Sequence, residues 1–63
     1  MSSHQSTSDK ILLAAIDLMA EKGYDGTTTK EIAAAAGVNE VTLFRHFGSK
    51  QKLLAAAFDR YHY

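Results

Sequence analysis

The 63-residue chain has no cysteine, no proline and only four glycines. Without cysteine, neither a disulfide framework nor a thiolate metal site can form. Without proline, interruption of helices falls to the glycines at 23, 26, 37 and 48. No apolar run approaches the ~18 residues that a membrane span needs, and no signal-peptide pattern opens the chain. The expectation is a soluble cytoplasmic protein with no membrane partner. Catalytic signatures are missing as well. The histidines at 4, 46 and 62 are scattered, and there is no glycine-rich phosphate loop, carboxylate pair or nucleophile beside a base. That excludes an enzyme reading and implies no metal or cofactor. A chain this short makes one domain, burying about 60% of its unfolded surface, too little for a deep catalytic pocket.

An excess of positive charge is also lacking, since seven basic residues balance seven acidic ones. Taken alone, that argues against a nucleic-acid partner. The distribution argues the other way. Residues 1–25 hold Lys10 and Lys22 against Asp9, Asp17, Glu21 and Asp25, whereas residues 26–52 hold Lys30, Arg45, Lys50 and Lys52 against Glu31 and Glu40. The first part is net negative by two and the second net positive by two, with His46 in the positive part.

What is present is helical periodicity. Residues 1–7 are polar and aperiodic and read as a disordered tail. A first helix starts near Ser8 as N-cap with Asp9 in its first turn, carries the stripe Ile11, Ala15, Leu18, Lys22, and ends at Gly23. A second opens on Thr28-x-x-Glu31, a capping box, and stops at Gly37. A third runs from Asn39 or Glu40 to Phe47, with Asn39 as N-cap. Ser49 caps a fourth, whose stripe is Leu53, Leu54, Ala57, Phe58 and Tyr61. That stripe still runs at residue 63, which predicts a longer natural protein. The fold class is all-α: a small bundle of three helices plus the start of a fourth, homeodomain-like, with a domain over 8–48 and a connecting helix over 49–63.

Two short helices around Ala36-Gly37-Val38 meet the needs of a helix-turn-helix. Ala33 permits close approach, Gly37 permits the sharp turn, and Val38 with Leu43 pins the second helix to the first. At ~100° per residue, Leu43 and Phe47 share the core face of the third helix, and Val41, Thr42 and Arg45 lie opposite. An arginine beside methyl-bearing side chains suits guanine or phosphate and thymine methyls. An ordinary helical hairpin with a solvated outer face is the plainer reading of the same residues.

A longer ordered string separates these. Ile11-Leu12-x-Ala14-Ala15 with Leu18, Lys22-Gly23-Tyr24, Thr27-Thr28-Thr29-x-x-Ile32-Ala33, Ala36-Gly37-Val38 and Thr42-Leu43-Phe44-Arg45-His46-Phe47-x-Ser49-Lys50-x-x-Leu53 together resemble the amino-terminal domain of the tetracycline-repressor (TetR) family. The resemblance covers residues 10–58. It implies a sequence-specific DNA-binding domain of a ligand-released repressor, with a recognition helix at about 40–46 in the major groove. Positions Lys30, Glu40, Val41, Thr42 and Arg45 are then expected at bases or the adjoining backbone, and Thr29, Asn39, Phe44, His46 and Lys50 at phosphates. The partners implied are a palindromic double-stranded operator and a second copy of the protein. The second copy is joined through a carboxy-terminal domain absent from these residues, which would also hold a small-molecule inducer.

The chain departs from the family pattern twice. Phe44 stands where tyrosine is common and lacks the hydroxyl that would bond phosphate. Glu40 brings a negative charge to the recognition helix: either it accepts from a cytosine amine or it only complements the helix dipole. Lys50 and Lys52 oppose the dipole of their own helix, a charge placement that an approaching phosphate would reverse in sign. An alternative to DNA binding is a protein-interaction module using Leu53, Phe58 and Tyr61.

Overall fold

The computed structural model describes residues 6–61, so the expectations for positions 1–5, 62 and 63, His4 and His62 among them, fall outside it. Four helices follow one another: α1 (Thr7–Gly26), α2 (Thr29–Ala36), α3 (Glu40–Phe47) and α4 (Lys50–Tyr61). The described residues contain no strand. No helix among them is long and apolar enough to cross a membrane.

Helix α1 begins earlier than its sequence suggests. Ser6, not Ser8, is the N-cap: its hydroxyl accepts from the Asp9 backbone N–H at 3.1 Å. Thr7 is therefore helical rather than the last residue of a tail. The Ser8 oxygen is engaged elsewhere, beside His46. Gly23 breaks the helix but does not end it. Its φ of 77° and ψ of 174° lie in a region essentially restricted to glycine, and residues 24–26 wind on beyond it. Thr27 closes this turn from inside: it is fully buried, and its hydroxyl donates to the Gly23 carbonyl at 2.7 Å.

Helices α2 and α3 are capped as their sequences dictate. The Thr28 hydroxyl accepts from Glu31 N at 3.1 Å, and Asn39 Oδ1 accepts from Thr42 N at 2.9 Å. The other half of the Thr28 box is diverted, because the Glu31 carboxylate turns mainly to the Lys22 ammonium. Between the helices, Gly37 takes the left-handed conformation, with φ 77° and ψ 26°. Val38 N donates to Ala33 O at 2.9 Å and Gly37 N to Ala34 O at 3.1 Å, the paired bonds of a Schellman ending. This sharp stop sets the angle at which α3 leaves α2.

The core is shared by all four helices. Ile11 and Ala15 of α1, Ile32 of α2, Leu43 of α3, and Leu53 and Ala57 of α4 are each fully buried. Helix α1 is the central member, packing most extensively on α2 and α4. It runs antiparallel to α4: Asp9 near its start pairs with Arg60 near the end of α4 at 2.7 Å, while Tyr24 near its end lies against Lys50 at the start of α4. The buried arc of α4 is narrower than the stripe read from sequence. Phe58, placed on that stripe, is 61% exposed; at ~100° per residue it lies about 100° round the helix from Ala57.

Candidate nucleic-acid interface

Helix α3 presents a sharply divided surface. Leu43 is fully buried and Phe47 packs against the core, whereas Val41 is 64% exposed and Arg45 is exposed beside it. Positions 41 and 45 are one turn apart and opposite Leu43, as the helical period requires. Thr42 is half-buried on one flank, and Phe44, 41% exposed, is on the other.

Each flank of α3 is tied to a different helix start. On the Phe44 side, Thr29 at the first position of α2 donates its hydroxyl hydrogen to Glu40 Oε2 at 2.9 Å. On the Thr42 side, His46 Nδ1 lies 3.1 Å from Ser8 Oγ in the first turn of α1. The Asn39 side chain, its oxygen used as the α3 cap, keeps its amide hydrogens for an outside acceptor. Lys30 stands exposed on α2.

Beyond α3, Ser49 caps α4 by accepting from Lys52 N at 3.1 Å. The Lys50 ammonium rests over the Tyr24 ring, 4.6 Å from its centroid. A cation on an aromatic face keeps its charge while losing freedom. Lys30, Arg45, Lys50 and Lys52 therefore lie on the elements that carry α3 and its borders. Both acidic residues of this half are engaged within the protein, Glu31 with Lys22 and Glu40 with Thr29. The bond to Lys22 holds the Glu31 carboxyl below the usual carboxylate range, against the partial desolvation that would raise it. The same bond raises the Lys22 ammonium above its ordinary value.

All ten residues expected from sequence thus lie on α2, α3, the turn between them or the start of α4. They do not all point at a common target: Thr29 and Glu40 hold each other, and His46 is tied to Ser8. Ser8, expected only as a helix cap, and Tyr24, expected only as part of the family string, are additions to the site, because each acquires its partner there through tertiary contact. Among the described residues, no group of three His, Cys, Asp or Glu side chains is placed to hold a metal ion.

The sequence model of the family described as "Bacterial regulatory proteins, tetR family" matches residues 11–57. Curated relatives agree. The chain is 49% identical over 55 residues to an uncharacterized HTH-type transcriptional regulator, YvkB, of Bacillus subtilis, covering 87% of this chain and 29% of that protein. It is 49% identical over 49 residues to an HTH-type transcriptional repressor of Mycobacterium tuberculosis, covering 78% of this chain and 26% of the relative. Over 45 residues it is 47% identical to the biofilm operon icaADBC HTH-type negative transcriptional regulator IcaR of Staphylococcus aureus, covering 71% and 24% respectively. The chain thus spans less than a third of the length of these relatives. No solved structure matches it. A helix-turn-helix with an exposed third-helix face, matched by this family over most of its length, makes the chain a member of the tetR family of bacterial transcriptional regulators.

Proposed function

We propose that this domain is the DNA-reading head of a ligand-released repressor that acts in the cytoplasm as a homodimer. Helix α3 enters the major groove, where Val41, Thr42 and Arg45 meet base edges. Lys30, Asn39, His46 and Lys50 approach the sugar–phosphate backbone, and Phe44 offers it only apolar packing. The dimer interface and the inducer pocket lie in a part of the protein outside these residues. Support for that larger protein comes from the relatives, each more than three times as long as the stretch they share with this chain.

The observation that carries the reading is the division of α3, with Leu43 fully buried and Val41 64% exposed on the opposite side. Its test pairs thermal melting with binding to a panel of operator variants. Leu43→Ala should destabilise the domain by about 2–5 kcal/mol, as truncation of a buried leucine does. Arg45→Ala should leave melting unchanged and weaken DNA binding. If Arg45 meets a guanine, the loss is about 1–3 kcal/mol and confined to one base pair per half-site; if it holds a phosphate, the loss is equal on every sequence. An Arg45→Ala protein that unfolds while Leu43→Ala stays folded would show that the reading face is misassigned.

A further inference from the structure

Glu40 is the one acidic side chain on the recognition helix, and its position is set by a neighbouring element. It is half-buried in the first turn of α3, with Oε2 accepting the Thr29 hydroxyl hydrogen at 2.9 Å. A hydroxyl has a single hydrogen to give, and a phosphate oxygen can only accept. With that hydrogen directed at Glu40, Thr29 has nothing to donate to a DNA phosphate, which is the role its position implies in the family. The remaining oxygen, Glu40 Oε1, takes no hydrogen bond from a described residue and is not among the buried unpartnered atoms. A solvent-accessible acceptor is thereby held on the leading end of α3. Side chains of a helix lean toward its N-terminus, and that end of a recognition helix meets the base edges.

A carboxylate on that surface is selective by elimination. It is repelled by phosphates and by the acceptors N7 and O6 of guanine and O4 of thymine, leaving the exocyclic amines of cytosine and adenine. Adenine sets its N7 acceptor beside the amine, which repels a group that only accepts; cytosine has no second acceptor of its own in the groove. We propose that Glu40 selects a cytosine in the bound DNA by accepting from its N4 amine with Oε1, and that Thr29 is the positioning residue that holds the carboxylate for this purpose. This rests on α3 lying in the major groove, as argued above.

The test is selection from a random DNA pool, followed by affinities at several salt concentrations, for the full-length two-headed protein and for its Thr29→Val, Thr29→Ser, Glu40→Gln, Val41→Ala and Arg45→Ala variants, each also melted. The unaltered chain should enrich a C·G pair at one position, and exchanging that pair should weaken binding roughly tenfold. Glu40→Gln should move the preference there to adenine, which an amide bonds through both N6 and N7. Thr29→Val should blur the cytosine preference without changing the salt slope, and Thr29→Ser should restore it. A Thr29→Val slope that falls by about one with the base preference intact would make Thr29 a phosphate contact and overturn the proposal. If Glu40→Gln leaves the selected sequence unchanged while Val41→Ala or Arg45→Ala alters it, Glu40 only supports its helix and the proposal fails with the groove reading intact. If no α3 variant alters the selected sequence, the groove reading itself fails.

Discussion

Lys50 illustrates how two weak effects decide the behaviour of one residue. A lysine in the first turn of α4 opposes the helix dipole by about 0.3–1 kcal/mol, while its ammonium over the Tyr24 ring recovers about 0.5–1 kcal/mol. The two nearly cancel. Lys50→Ala should therefore scarcely move the melting temperature, yet lower the slope of log K against log salt by about one per head. Tyr24→Leu should keep that slope, since the charge stays, and weaken binding evenly on all sequences by loosening the ammonium; titrations at three salt concentrations separate the two variants. Glu31 gives a pH signature instead. Its carboxyl is held below its usual range by Lys22, so the pair contributes stability above the unfolded carboxyl value of about 4 and loses it as pH falls through the lower folded value. Melting followed from pH 7 to pH 2 should show an acid loss that is smaller in Glu31→Gln. Of these residues, Lys50 is visible in the sequence as a charge set against a helix dipole. Tyr24 and Ser8 are not, because their partners stand 26 and 38 positions away.

The helices themselves were the most legible part of the sequence, since a cap is a local event. Thr28, Asn39 and Ser49 each bond the backbone N–H three residues on; Asn39 and Ser49 directly precede their helices, and Thr28 is picked out of the run Thr27-Thr28-Thr29 by Glu31 three residues further along. At α1, by contrast, Ser6, Thr7 and Ser8 stand in a row, and only the tertiary placement of His46 shows which of them is used otherwise. The glycines also differ in ways their spacing conceals. Gly37 is in the ordinary left-handed region, whereas Gly23 has φ 77° with ψ 174°. No atom within 4 Å would obstruct a side chain at either position, so backbone conformation alone sets the outcome. Gly37→Asn should be tolerated with a loss under about 1 kcal/mol, because asparagine enters the left-handed region readily. Gly23→Asn should lose about 1–3 kcal/mol. Thermal melts of the two variants make the comparison, and equal losses would mean that the turn at 23–27 relaxes where that at Gly37 does not.

At the scale of the whole molecule, neutrality conceals a division of charge, and that division sets what a single head can do. One domain offers a few cations and one recognition helix, so a demonstrably monomeric form should bind DNA weakly, with Kd on the order of 10⁻⁴ to 10⁻⁶ M at physiological salt and little sequence preference. Joining two heads should raise affinity and selectivity together. Nanomolar, operator-selective binding by the monomer, measured alongside its sedimentation, would contradict this. How the helices sit against one another was the least legible level of all. The bonds Thr29–Glu40, Ser8–His46 and Asp9–Arg60 depend on angles between helices that no run of residues encodes by itself.

The antiparallel seating of α4 on α1 has a consequence for how the domain assembles in time. The turn between α2 and α3 is short-range and can form early, but the Asp9–Arg60 contact closes nearly the whole described chain on itself. Ile11 and Ala15 of α1 share one buried cluster with Leu53 and Ala57, which follow some forty residues later. Without α4, the face of α1 that packs against it stays open to water. Closing that span costs more loop entropy than any shorter contact in the domain, so α4 docking is the contact the rest of the core must stabilise most.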